Sequence, residues 1–183
     1  MFNKIKILFI LTSLLLGACT SNIDNELKLF LQMRIHVPYE KLERRICSLY
    51  PDTVRSYQVY IIKYIDSYSC GTCMASTIAN KETKYFDKYE NVCFMYIIKT
   101  TTKEKEQVYR DLCSKRVRGS VFLDTENALL KSNPNFPDNS LFHTFVINNN
   151  GEVLMVGDPF LNDRMEALFN KVIENEKKKQ ERI

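Results

Sequence analysis

Two nearly unbroken apolar runs, Tyr57–Ile65 (YQVYIIKYI) and Val92–Ile98 (VCFMYII), set the strongest limit on how this chain folds. Both are rich in β-branched and aromatic residues with little alternation, the pattern of strands covered on both faces. Between them Met74, Ala75, Ile78, Ala79, Tyr85, Phe86 and Tyr89 recur at the spacing of a helix with one apolar side. A buried strand, a helix and a second buried strand make up the unit that pairs strands in parallel.

The rest of the chain extends this unit. Lys103–Ser114 predicts a helix with Val108, Tyr109, Leu112 and Cys113 inward, and Val121–Leu123 a short strand before a loop holding Pro134 and Pro137. Phe142–Asn148 and Glu152–Val156 are joined through Asn149-Asn150-Gly151, and Asn-Gly supplies the positive φ angles of a tight antiparallel hairpin. Leu161, Met165, Leu168, Phe169, Val172 and Ile173 then sit at helical spacing, with Asn162 or Asp163 as the cap. The charged tail Glu174–Ile183 reads as a solvated helix end. Before the first apolar run, Thr20–Glu26 reads as a polar tether and Arg34–Val37 as a short strand. A short helix is expected after Pro38, through Leu42, Ile46 and Leu49. The expected architecture is α/β: a central mixed β-sheet flanked by helices on both faces, in one domain over 51–183.

The N-terminus points to export. Lys4 and Lys6 precede an apolar run, Ile7–Leu16, broken only by Thr12 and Ser13. Such a run is too short to span a bilayer, which takes about 20 residues, and fits a secretory signal peptide over 1–18. Leu16-Gly17-Ala18-Cys19 resembles the lipobox of bacterial lipoproteins, where the cysteine thiol takes a diacylglycerol and becomes the new N-terminus. The expectation is a cell-envelope protein anchored through lipid on Cys19, facing the periplasm, with 19–50 as tether and N-terminal extension. The formal charge is +4, and Lys4 and Lys6 supply two of those charges. That balance is too weak to indicate nucleic acid as a partner.

Export makes the cysteines informative, because thiols in an oxidising compartment form disulfides unless kept reduced. Beyond Cys19 stand Cys47, Cys70, Cys73, Cys93 and Cys113, an odd set in which one pair is spaced C-x-x-C. Cys70-Gly71-Thr72-Cys73 falls between the first buried strand and its helix. A helix N-terminus offers unpaired N–H groups and the positive end of the dipole, and both favour thiolate, the nucleophilic form. Cys70 is then the attacking thiol and Cys73 the resolving one. Gly71 permits close packing at the turn, and Thr72 leaves Cys70 accessible. A static disulfide and half of a zinc site are the other readings. Structural zinc usually takes four ligands, and the sequence has no second CxxC. Cys93 in a buried strand and Cys113 on an inward helix face read as small core hydrophobes. Cys47 is the least constrained, open to pairing with either of them or to reaction with a partner.

Val59–Cys73 (VYIIKYIDSYSCGTC) and Phe142–Pro159 (FHTFVINNNGEVLMVGDP), in this element order, resemble envelope thioredoxin-like proteins of the TlpA/ResA and AhpC/TSA superfamily, over roughly 51 to 175. The resemblance implies a thioredoxin-like fold and a thiol–disulfide oxidoreductase without organic cofactor. It would act on thiols or disulfides of envelope proteins and be served by a separate redox partner. Three departures stand out, and they leave a redox-inactive scaffold lipoprotein as an alternative reading. Ser69 occupies the place of the usual Trp, His143 that of a cis-proline before Thr144, and Tyr64 that of a buried acid. A non-proline cis bond costs about 2.5–4 kcal/mol, so a trans peptide is expected at His143. Asp66 is either a proton relay or a solvated strand end. The His143 ring has three readings: a solvated loop group, a cation that lowers the Cys70 pKa, or a ligand that joins Cys70 and Cys73 around copper(I) or zinc. His36 has no evident partner. Ser69, Gly71, Thr72, His143 and Thr144 are the candidate substrate-binding or thiol-tuning residues.

Overall fold

A computed structural model describes residues 22–45, 58–66, 71–89 and 91–181. Among these, β1 (Glu43–Arg45), β2 (Val59–Ile65), β3 (Val92–Lys99), β4 (Ser120–Asp124), β5 (Thr144–Asn148) and β6 (Val153–Val156) form one sheet in the order β1-β4-β3-β2-β5-β6. β2, β3 and β4 are parallel, while β1, β5 and β6 run antiparallel to their neighbours. The helices are α1 (22–31), α2 (Gly71–Tyr85), α3 (Lys105–Ser114), α4 (Ala128–Ser132) and α5 (Asp163–Gln180). None of the described helices is long and apolar enough to cross a membrane.

The two apolar runs lack alternation because the sheet has a core on each side. Along β2, Val59, Ile61 and Ile65 enter a core built with α2, α3 and α5, where Ile78, Leu112 and Phe169 meet them. Ile62 and Tyr64 enter the second core, with Phe30 of α1, Leu129 of α4 and Phe145 of β5. Strand pleating sends successive side chains to opposite faces, so both sets must be apolar.

The β5–β6 hairpin forms where Asn149-Asn150-Gly151 predicts it. Asn148 Oδ1 accepts hydrogen bonds from the N–H groups of Asn150 (3.0 Å) and Glu152 (3.1 Å). Gly151 has φ +78°, and a Cβ there would stand 2.3 Å from the Ile35 carbonyl oxygen. Asn162 caps α5 by accepting from the Met165 N–H at 3.0 Å.

The N-terminal extension departs from expectation. The polar stretch expected as a tether is helical from residue 22, and Phe30 is 1% exposed. Its ring meets those of Phe136, Phe142 and Phe145 at centroid distances of 5.4–6.1 Å. Sequence polarity hid this helix, because one aromatic side chain supplies much of its buried face. Within Arg34–Val37, Arg34 makes a single bridge to Glu152 and the rest has no ladder pairing. After Pro38 a 3₁₀ turn, Tyr39–Lys41, leads into strand β1 where a helix is expected. Ile46 and Leu49, assigned to that helix, lie outside the described residues. Charge suits the observed strand, since β1 is an edge strand. Glu43 meets Lys105 at 2.7 Å, Arg45 meets Glu106 at 2.5 Å, and the Arg45 guanidinium lies 4.9 Å from the Tyr109 ring centroid. The proline-containing loop also holds the short α4. The buried Asp124 carboxylate accepts from the N–H groups of Ala128 (2.8 Å) and Leu129 (3.0 Å) at its start.

Phe30→Ala is expected to lower the unfolding free energy by about 3–5 kcal/mol, read from the urea midpoint. Leu29→Ala, at an exposed position of the same helix, should change it by less than about 0.5 kcal/mol. Equal effects would show that α1 adds nothing to the core.

Candidate functional site

Parallel pairing of β2 with β3 fixes where the Cys73 thiol lies. The chain leaves β2 at Ile65, and α2 begins at Gly71 above the edge of the sheet where the parallel strands end. Ala75 and Ile78 bury the inward side of α2, which leaves Cys73 exposed in its first turn. The Cys73 carbonyl accepts from Thr77 Oγ1 at 3.0 Å. At the third helical position the backbone N–H lacks an intrahelical acceptor, so the thiol stands at the positive end of α2. Gly71 and Thr72 are the helix's first residues. Ser69 and Cys70 lie outside the described residues, as do Cys19 and Cys47.

His143 is not a solvated loop residue. It is 8% exposed and ends a 3₁₀ turn, Ser140–Phe142, immediately before β5. No cis peptide occurs among the described residues, and φ −76°, ψ −2° is unstrained backbone. Nε2 lies 3.2 Å from the Pro137 carbonyl, an acceptor that requires the proton on Nε2. Nδ1 is 3.9 Å from a carboxylate oxygen of Asp66, whose side chain is 54% exposed. The ring stands edge-on to Tyr64 at 5.2 Å and tilted against Phe136 at 5.6 Å. Tyr64 and Phe136 belong to the core opposite the one covered by α2, and burial pushes the Tyr64 hydroxyl up to about 12. The sheet therefore separates the environment of the ring from the helix that carries Cys73. Among the described residues, no three His, Cys, Asp or Glu side chains gather as a metal site.

Thr144 does share a face with α2. It pairs with Lys63 in the β2–β5 register, and its carbonyl accepts from the Gly157 N–H at 2.7 Å. Around it is a cavity of about 30 Å³, lined in part by Lys63, Lys81, Tyr96, Thr144 and Asp158. Lys81 and Asp158 form an ion pair across it. Burial and the neighbouring Lys81 hold the Lys63 ammonium below the ordinary lysine range, with Asp158 opposing them. The sequence signal for this group is a lone lysine inside an apolar strand run.

Glu82 is the second group that sequence reading passes over. It is 1% exposed on α2, and its two carboxylate oxygens accept from the N–H groups of Arg118 and Gly119, each at 2.6 Å. A Cβ at Gly119 would lie 2.6 Å from that carboxylate and 2.7 Å from the Phe94 carbonyl, so only glycine admits this contact. Burial pushes the Glu82 carboxyl up in spite of the N–H groups that favour its charge. Ala75, Ile78, Glu82 and Tyr85 fall on one helical stripe, and that spacing is the signal that places Glu82 inward.

The remaining cysteines divide. Cys93 is buried, as its strand predicts, with Sγ 3.9 Å from Ser120 Oγ, and burial raises its thiol to about 11. Cys113 is not a simple core hydrophobe. It is half-buried and disulfide-bonded.

No family model and no curated protein matches the sequence. Among solved structures, the chain is similar to a thioredoxin-like protein determined in its oxidized form. The TM-score is 0.51 and the identity 13%, over 79% of this chain and 97% of that one. The fold is thioredoxin-like. The chain is also similar to an uncharacterized thioredoxin-like protein from Porphyromonas gingivalis, with a TM-score of 0.44 and 14% identity over 64% of this chain and 74% of that one. A third similar structure is the bacterioferritin comigratory protein of Xanthomonas campestris, with a TM-score of 0.47 and 12% identity over 75% and 98% of the two chains. In this thioredoxin-like sheet, β2, α2 and β5 bring Cys73 and Thr144 to the same face.

Two outcomes follow from the buried groups. At about pH 8 a disulfide reagent should modify Cys73 in the native protein and leave Cys93 unmodified until the chain unfolds, as peptide mapping of the labelled protein would show. Glu82 has a folded pKa above its ordinary value of 4.5, so the folded state holds the proton more tightly. Its contribution is most favourable below 4.5 and declines as pH rises through the folded value. Glu82→Gln should remove that decline from urea midpoints measured across the range, and identical slopes would refute it.

Proposed function

We propose that the chain is a thiol–disulfide oxidoreductase of the cell envelope, working through Cys70 and Cys73 and anchored by lipid on Cys19. The observation that carries the reading is the exposed Cys73 thiol in the first turn of α2, beyond the end of β2 in a thioredoxin-like sheet. Cys70 thiolate attacks one sulfur of a substrate disulfide and forms a mixed disulfide while the other substrate sulfur leaves as thiolate. Cys73 thiolate then attacks the Cys70 sulfur, the mixed disulfide breaks, and the substrate leaves as a dithiol. Two electrons pass to the substrate, and a Cys70–Cys73 disulfide remains. A separate redox partner restores the dithiol, and the same steps in reverse oxidise a substrate. Thr144, on the α2 face, is a candidate substrate contact. Ser69, Gly71 and Thr72 complete the proposed approach to Cys70.

His143 enters this reading as a positioning residue. Its carbonyl accepts from the Tyr64 N–H at 2.8 Å, which ties the start of β5 to the end of β2. The short spacer bears on the anchor. Only Thr20 and Ser21 stand between Cys19 and the first described residue of α1, so a lipid on Cys19 would hold the folded domain close to the bilayer.

Equilibration of the full chain with mixtures of oxidised and reduced dithiothreitol should give a reversible two-electron couple that Cys73→Ser abolishes. No couple in the unsubstituted chain would overturn the assignment. In the native host, Cys19→Ser should move the protein from the membrane fraction to the soluble one, and unchanged membrane retention would overturn the lipid anchor.

A further inference from the structure

Cys113 is disulfide-bonded, and none of the groups assigned to the proposed reaction explains why. Its place in the fold limits its partner. α3 starts at the sheet edge where β3 ends and runs back toward the edge where β4 begins, so Cys113, next to the last residue of α3, lies at the latter edge. The chain enters α2 at the opposite edge, which sets Cys73, and Gly71 to which Cys70 is joined in sequence, about a helix length from Cys113. Cys93 points to the other face, toward Ser120 Oγ, and α1, which follows Cys19, packs on that other face as well.

β1 leads the other way. It runs antiparallel to β4 and therefore alongside α3 in the same direction. Glu43 and Arg45 share a sheet face with Leu123 and Val121, their register partners, which is the face covered by α3. Glu43 reaches Lys105, and Arg45 reaches Glu106 and Tyr109. Each step of two residues along β1 thus advances about one turn along α3, as the two repeats of roughly 6–7 Å and 5.4 Å require. Two residues beyond Arg45 in the sequence, the same spacing that separates Glu43 from Arg45, is Cys47. The next position in the Glu106–Tyr109 helix stripe is Cys113. A disulfide needs Cα atoms about 4.4–6.8 Å apart, and two residues of chain beyond Arg45 are long enough to make the remaining step along α3 to Cys113.

We propose that Cys47 and Cys113 form a structural disulfide that staples edge strand β1 to helix α3, separate from the Cys70–Cys73 couple. Cys47 itself lies outside the described residues. The two thiols lose their protons, and two electrons pass to an external disulfide, which is reduced to two thiols as the S–S bond forms. The cross-link secures β1, the strand held to α3 by ion pairs and a cation–π contact, against fraying from the sheet. It also leaves Cys70 available to Cys73.

The sequence makes the test direct, because trypsin places Cys47 in 46–55, Cys70 and Cys73 in 64–81, Cys93 in 89–99 and Cys113 in 111–115. The full chain carrying Cys70→Ser and Cys73→Ser is alkylated under denaturing conditions without reductant, digested and mapped by mass spectrometry. This separates the staple from the proposed redox couple, which that chain lacks. Fragment 46–55 joined to 111–115 is the expected result. Recovery of 111–115 alkylated, or joined to 89–99, would overturn the pairing, as would 111–115 joined to 64–81 in the unsubstituted chain. Reductant should lower the thermal midpoint of the Cys70→Ser/Cys73→Ser chain by several degrees or more, with no such shift once Cys113→Ser is added. An unchanged midpoint in the first chain would overturn the stapling role.

Discussion

The burial of β2 on both faces governs the rest of this structure. β2 pairs in parallel with β3 on one side and antiparallel with β5 on the other, so each of its backbone groups has a ladder available. Its side chains divide between two cores, and neither core closes without elements far away in sequence. Ile78 of α2 and Phe169 of α5 close one, while Phe30 of α1 and Phe145 of β5 close the other. A strand with this pattern has no stable solvated alternative, because either face would expose a row of large apolar groups. The position of Cys73 follows from the same constraint, since α2 begins only a few residues beyond the end of β2.

Polar groups inside this framework fix the irregular segments. Glu82 holds the turn before β4 by its backbone, Asp124 starts α4, and Asn148 shapes the β5–β6 turn. Asn133 links α4 to the N-terminal extension, accepting from the His36 N–H at 2.9 Å and donating to its carbonyl at 2.8 Å. That contact gives His36 a backbone partner in place of a functional one. Each side chain satisfies main-chain groups of an irregular segment, and at the buried start of α4 a lost hydrogen bond to Asp124 would cost about 1–3 kcal/mol.

The same framework sorts the titratable groups by face. Cys73, Thr144, Lys63 and the Lys81–Asp158 pair are on the α2 side, whereas His143, Tyr64 and Phe136 are packed beneath the other. In water-excluded surroundings this separation matters more than distance along the chain. His143 directly precedes Thr144 in sequence, yet its ring packs against Tyr64 and Phe136 while Thr144 lies on the α2 face. A histidine in this position therefore reads chemically as a component of an aromatic cluster, hydrogen-bonded to Pro137.

The sequence by itself determined the strands at Val59–Ile65 and Val92–Lys99, the helices that follow them, the Asn-Gly hairpin and the Asn162 cap. In each, the signal lies within neighbouring residues: apolar content, a 3.6-residue period, or a turn residue tolerant of positive φ. It also set Cys73 at a helix start, because CxxC directly follows a buried run. Tertiary structure alone decided that the polar stretch before Phe30 is a core helix and that Glu43–Arg45 is a strand. It likewise decided that Glu82 is buried, that His143 turns away from α2 and that Cys113 is oxidised. These outcomes depend on partners such as Phe145, Lys105 and Gly119, brought together only when the sheet closes. Local periodicity cannot report contacts of that range.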